Sequence, residues 1–310
     1  MPPIINAQGI SKKYGVAPLF EGVSFIVNEG DRIGLIGPNG SGKSTLLQIL
    51  QGRIQPDSGG VAMRKRTRLS YVAQESGFPA GQTVKSIAEK AMALAMVPDA
   101  ERGPILAETL GRAGFTDFEA QAASLSGGWR KRLAIVEGLV QKADIFLLDE
   151  PTNHLDLAGI RWLENLLKTA PFACVVVSHD RYLLENFASQ VVELNRIYED
   201  GLLRAEGNYT SFLQLKEDYL HAQGKRQEAL TNRVHMEVEW LRRGPKARTS
   251  KSKARIDVAQ ELIGELAGTN AEKVSSPLST GTISPVLRLM ALCRSPLTRK
   301  GSWGPCSRIF

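Results

Sequence analysis

Nothing in the chain approaches the roughly 20 consecutive apolar residues that a bilayer-spanning helix needs. The opening Met1-Pro2-Pro3-Ile4-Ile5-Asn6 has no basic region followed by an apolar core, so no secretory signal is expected and the expected location is cytoplasmic. Cysteine is scarce. Cys174, Cys293 and Cys306 share no metal-ligand spacing and suggest no disulfide framework. Cys174 falls in the apolar run Phe172-Ala173-Cys174-Val175-Val176-Val177 and reads as a small core residue. Acid is missing from two whole segments: residues 242–255 carry seven Lys or Arg and residues 273–310 carry six, with no Asp or Glu in either. Setting those 13 aside leaves 26 basic residues against 32 acidic ones, so the net charge of +7 comes from two basic appendages on a mildly acidic body. Such asymmetry points to a polyanion partner reached by an appendage. With 310 residues there is length enough for one large domain or two small ones around a buried core.

What is present is concentrated in short motifs. Residues 37–45 read Gly-Pro-Asn-Gly-Ser-Gly-Lys-Ser-Thr, a complete phosphate-binding loop. Arg32-Ile33-Gly34-Leu35-Ile36 before it has the character of a buried strand, and Leu46-Leu47-Gln48-Ile49-Leu50 after it that of a helix. The loop needs that context, because phosphates sit where free backbone N–H groups and the helix dipole favour anions. Gly37, Gly40 and Gly42 let the amides turn inward. Lys43 is expected to reach the β- and γ-phosphates of ATP, the Ser44 hydroxyl to ligate Mg²⁺, and Asn39 and Thr45 to complete the nucleotide-binding loop. Residues 145–150, Ile-Phe-Leu-Leu-Asp-Glu, form an apolar strand ending in two carboxylates. Asp149 suits the Mg²⁺ shell, and Glu150 suits a base that polarises water for attack on the γ-phosphate. Between these lies Leu125-Ser126-Gly127-Gly128-Trp129-Arg130-Lys131-Arg132, which opens a helix with Ser126 as N-cap and a second anion-binding end. Tyr14 offers a ring for stacking on a nucleotide base, although on its own it is more simply a core or surface tyrosine.

The order of phosphate loop, Gln74 (in Tyr71-Val72-Ala73-Gln74), Leu-Ser-Gly-Gly, Leu-Leu-Asp-Glu and His179 (in Val177-Ser178-His179-Asp180) resembles an ATP-binding cassette over about residues 4–215. The resemblance implies an α/β P-loop NTPase fold, a mixed-sheet core plus a small helical subdomain at about 76–124. It implies that Gln74 touches Mg²⁺ and the attacking water, that His179 contacts the γ-phosphate and that Tyr14 is the adenine platform. Ser126 and Gly128 would bind the γ-phosphate of an opposing cassette, and Asp156 would fall in the loop that meets it. Catalysis then requires a second cassette, from a homodimer or a tandem domain. The helical subdomain is expected to show the apolar spacing Val84, Ile87, Ala88, Ala91, Leu94.

Trp129-Arg130-Lys131-Arg132, the string from Ser178 to Leu184, and Glu206-Gly207-Asn208-Tyr209 followed by Phe212-Leu213 are similar to the ABC-F branch, ATPases with two cassettes in tandem, many of which act on the ribosome. After the cassette, residues 210–242 have helical apolar spacing (Leu230, Val234, Val238, Leu241), Gly244-Pro245 breaks it, and Ile256, Ala259, Ile263 and Leu266 resume it. This predicts an antiparallel helical hairpin over residues 216–270. Arg242, Arg243, Lys246, Arg248, Lys251, Lys253 and Arg255 cluster near its bend, an arrangement suited to a phosphate backbone. It resembles the ABC-F interdomain linker, which implies ribosomal RNA and tRNA as partners and no integral membrane partner. A transporter subunit and a structured-DNA-binding ATPase remain the alternatives. Residues 271–310 are rich in Ser, Pro and Arg and show no periodicity, so an irregular or disordered tail is expected. The family pattern would place a second cassette near here. A truncated or frame-shifted product, or a genuine half-size protein that homodimerises, would account for the difference.

Overall fold

A computed structural model describes residues 3–15 and 17–242, with Glu261 and Gly264 beyond them. The chain divides after Lys225 into two units. The second expected helix of the hairpin, most of the basic segment and the tail lie outside the described residues.

The first unit is built on a six-stranded sheet in the order β5-β6-β7-β3-β8-β9. Its strands are β3 (Arg32–Ile36), β5 (Leu69–Val72), β6 (Ile145–Asp149), β7 (Ala173–Val177), β8 (Gln190–Leu194) and β9 (Leu202–Glu206). All neighbours pair parallel except β8 with β9. Every residue of β6 and β7 is buried, as continuous apolar strands covered on both faces must be. Side chains alternate between the two faces. Ile145, Leu147, Ala173, Val175 and Val177 join one core, together with Leu46, Leu47, Ile49 and Leu50 of α1 (Lys43–Leu50). Phe146, Leu148, Cys174 and Val176 join another, with side chains of α4 (Gly127–Val140), α5 (Leu157–Thr169) and α6 (Arg181–Phe187). Cys174 is completely buried, and burial pushes its thiol up to about 12, so it is the inert core residue expected.

Beside the first core lies a three-stranded antiparallel sheet, β2-β1-β4, from β1 (Ile5–Tyr14), β2 (Ala17–Val27) and β4 (Ser58–Met63). The helical subdomain is formed by α2 (Val84–Leu94) and α3 (Asp99–Arg112), which share a core with Leu133, Val136 and Val140 of α4. In α2 the expected apolar stripe needs one correction. Leu94 is exposed, and Met92 is buried in its place. The helix ends at Leu94 and the chain turns away at Met96, whose φ is +56°, so the stripe closes one residue pair earlier. The last element, α7 (Tyr209–Arg242), matches the first expected linker helix. Its start is tied to the sheet by Lys216 Nζ, 2.8 Å from the buried Glu193 carboxylate, which also accepts from Tyr198 Oη at 2.6 Å.

α4 runs so close to the sheet that a Cβ on Gly138 would lie 2.3 Å from Ser70 Oγ and 2.6 Å from the Phe146 ring. Ala is the better helix former, yet here it must overpack the core. Gly138→Ala should therefore destabilise the protein by about 1–3 kcal/mol in urea unfolding. Gly111→Ala, in α3 with open space around it, should be neutral or stabilising by up to about 1 kcal/mol.

Candidate functional site

β3 runs into residues 37–42 and the chain then winds into α1. Gly42 occupies the N-cap with φ +98°, and a Cβ there would strike Leu19 at 2.7 Å. A Cβ on Gly37 would lie 2.4 Å from Leu194 O. Only glycine lets the loop close this tightly. Lys43 is nearly buried, and its ammonium donates to the carbonyls of Gly37 (2.9 Å) and Pro38 (3.1 Å). Burial lowers its pKa, while Glu150 and Asp149 pull it back up.

The end of β6 supplies those two carboxylates, both buried. Asp149 Oδ2 accepts from Tyr71 Oη at 3.4 Å, whereas Asp149 Oδ1 and Glu150 Oε1 are buried with no hydrogen-bond partner. Glu150 adopts φ +45°, a left-handed conformation unusual for a side-chain-bearing residue, and its N–H donates to Val177 O at 2.9 Å. His179, just beyond β7, places Nε2 3.4 Å from Glu150 Oε1. Burial raises the Glu150 pKa, with the His179 charge opposing it. Gln74 follows β5, and Tyr14 ends β1 with 58% of its surface exposed.

These parts meet around one cavity of about 590 Å³, within the range of small-molecule sites. Tyr14, Asn39, Gly40, Gly42, Lys43, Ser44, Thr45, Gln74, Asp149, Glu150 and His179 all line it. Gly37 stands behind Lys43 as a carbonyl acceptor rather than in the wall. The orphaned Asp149 oxygen, the Ser44 hydroxyl and the Gln74 side chain are oxygen donors of the kind a hard divalent cation takes, so the residues fit Mg²⁺.

The two residues expected to serve an opposing cassette do not line this cavity. Ser126 caps α4, its Oγ accepting from Trp129 N at 3.5 Å, and neither it nor Gly128 lines the wall. A Cβ on Gly128 would lie 2.6 Å from His154 O, so this helix end is pressed against the loop that follows Glu150. In that loop Asp156 accepts from Gly159 N and from Arg132 Nη2, each at 2.8 Å, which holds its carboxyl low. Arg242 is the last described residue of α7. Arg243, Lys246, Arg248, Lys251, Lys253 and Arg255 lie outside the described residues.

Sequence reasoning missed several neighbours. Thr152 and Asn153 also line the cavity, and their place directly after Glu150 could have found them. Lys131 had no such signal. It sits in a basic run yet is 1% exposed, donating to the carbonyls of Ala73 and Gln74 at 2.6 Å each, and burial pushes its pKa down to about 8. It thereby ties α4 to the segment that carries Gln74.

A carboxyl raised by folding destabilises the fold where it is ionised and costs nothing where both states are protonated. Without nucleotide or Mg²⁺, Glu150→Gln should melt higher than the parent at pH 8, and the gain should fade as pH falls toward about 4. A lower melting temperature at pH 8 would contradict this account of Glu150.

A family described as "ABC transporter" matches residues 20–153. An uncharacterised ABC transporter ATP-binding protein, YfmR of Bacillus subtilis, is 36% identical over 84% of this chain and 46% of its own. The energy-dependent translational throttle protein EttA of Escherichia coli K12 is 34% identical over 79% of this chain and 50% of its own. The chain thus spans about half the length of the curated relatives it matches. Among solved structures, an ATP-binding subunit of an ABC transporter superposes with a TM-score of 0.62 at 20% identity, covering 71% of this chain and 98% of that one. A dimeric cassette in a post-hydrolysis state with ADP and Pi gives 0.54 at 24% identity, covering 64% and 95%. At those identities the structures speak for the fold alone. Residues 20–153 thus carry an ATP-binding cassette, and with the ordered motifs around one cavity these relatives support a cassette of the ABC-F type.

Proposed function

We propose that this cavity binds ATP with Mg²⁺, that hydrolysis is completed by a second cassette, and that the cycle serves a ribosome-associated task through the basic linker. The observation that carries the reading is the meeting of Lys43, Asp149, Glu150, Gln74 and His179, from four strand ends, in one cavity. Lys43 and the amides of residues 39–45 bind the phosphates. Tyr14 stacks on the base. Mg²⁺ at Ser44, Asp149 and Gln74 supplies charge neutralisation on the phosphates. Glu150 holds and polarises the attacking water, an assignment its raised pKa supports, because a base is most useful when its affinity for a proton is high enough to accept one. His179 contacts the γ-phosphate and orients against Glu150.

Ser126 and Gly128 open a capped helix and do not line the cavity of their own cassette. That placement supports their use in trans, with each cassette closing the nucleotide of another. A lone chain then binds ATP but turns it over slowly.

The translational relatives and the seven cations of residues 242–255 support RNA as the partner. Glu150→Gln, which holds the ATP state, should co-sediment with ribosomes at about 50 mM salt and be released at about 200 mM, since phosphate contacts lose orders of magnitude over that range. A variant that binds ATP, hydrolyses it slowly and never co-sediments at low salt sinks the ribosome reading. Recovery of an integral membrane protein instead would favour a transporter subunit.

A further inference from the structure

We propose that the turn joining β4 to β5 is an RNA-backbone docking surface on the cassette itself, apart from the ATP cavity and formed by residues other than the basic ones at 242–255. It rests on the ribosomal reading above for the choice of RNA, but its geometry is independent of it. The turn reads Arg64-Lys65-Arg66-Thr67-Arg68, four cations in five residues, with no acid anywhere between Asp57 and Glu75. On a body that is otherwise net acidic, this is a local reversal of sign.

The backbone of the turn is fixed. Thr67 N–H donates to Arg64 O at 3.2 Å, closing a tight turn with Arg66 at its third position and φ +65°. That position ordinarily takes Gly or Asn, because other side chains are strained there. Arg64 N–H donates to Ile4 O at 2.9 Å, Arg68 N–H donates to Asp144 Oδ2 at 2.7 Å, and Asp144 N–H returns to Arg68 O at 2.8 Å. The turn is therefore pinned to both sheets, and its cations are displayed without a further ordering cost for the backbone. Arg66 thus holds a conformation that glycine would adopt without strain.

The charges are available. Arg64 pairs with Glu29 at 3.1 Å, but Lys65, Arg66 and Arg68 are exposed and, among the described residues, form no ion pair. A second cation in a glycine position lies on the same side. Lys142, with φ +50°, follows the C-cap of α4, where glycine is usual. With Arg64 and Arg112 it borders a cleft of about 560 Å³, whose wall also carries Glu29, Glu108 and Asp144. Lys142 is engaged with Glu101 (3.4 Å) and Arg112 with Glu108 (2.9 Å). These are exposed pairs of small net worth, which a phosphate can replace.

The surface is distinct from the nucleotide site. β5 and β6 begin beside the turn, with Leu69 opposite Ile145, and the parallel strands carry the chain to Asp149 at the other edge. Four residues of strand put about 13 Å between the two. Three of the four cations are arginines, whose planar fork suits bidentate phosphate contact. A rigid turn with exposed guanidiniums reads a phosphodiester backbone by position rather than by sequence.

The test is fluorescence anisotropy of a labelled RNA hairpin against the full chain. Arg66→Gly should melt no lower than the parent, because it relieves the left-handed strain, yet bind the hairpin more weakly. The triple variant K65Q/R66G/R68Q should bind roughly tenfold more weakly, with a salt dependence less steep by about two. Unchanged affinity and slope in the triple variant overturns the proposal. Tighter binding of a matched DNA duplex overturns the assignment to RNA, and a loss confined to phosphatidylserine vesicles assigns the turn to a lipid surface instead. Neutralising the seven linker cations provides the control. If that abolishes binding while the triple variant behaves as the parent, the turn fails and the linker reading stands. If the triple variant loses binding and the linker variant keeps it, the turn stands and the linker assignment fails.

Discussion

Parallel pairing of β5, β6, β7 and β3 is the constraint on which the site depends. The register sets Val72 opposite Leu148, Asp149 opposite Val177, and Leu35 also opposite Val177. Four strands therefore end in one row, and the loops that leave them carry Gln74, Glu150, His179 and residues 37–45 from a single edge. The pairing survives only because both faces of the sheet are apolar and covered, by α1 on one side and by α4, α5 and α6 on the other. Burial then does chemical work. It raises the Glu150 carboxyl and lowers the Lys43 ammonium, and the attraction between these groups opposes both shifts.

Packing joins this edge to the rest of the unit at two points. Lys131 on α4 holds the carbonyls of Ala73 and Gln74, so the helix opened by Ser126 cannot shift without acting on the Gln74 segment. Gly37 packs on Leu194 O, one residue from Glu193, which grips Lys216 at the start of α7. These contacts place the phosphate loop and the first turns of α7 on a common strand, β8.

Much of the site was legible from residues alone, because a phosphate loop and a strand ending in two acids are local statements: spacing, glycines and charge suffice. The apolar runs of β6 and β7 were equally plain. The antiparallel sheet was not. β1 is interrupted by register shifts between Ala7 and Lys13, and β4 contains Gly59-Gly60, so neither alternates cleanly. Leu94 fitted the helical period as well as Met92, and only the turn at Met96 decided between them. Lys131 was hidden because a lysine among arginines reads as a solvated face, and its two carbonyl partners come from residues 57 and 58 positions away. Arg66 was hidden for the opposite reason: its charge was visible and its backbone conformation was not.

The most direct measurement is calorimetric titration of ATP with Mg²⁺ into the chain and into Lys43→Met. If the strand ends do gather a nucleotide site, the parent binds one ATP per chain and the variant binds at least about tenfold more weakly, a loss of about 1.4 kcal/mol. Equal affinity in the two proteins would contradict the account.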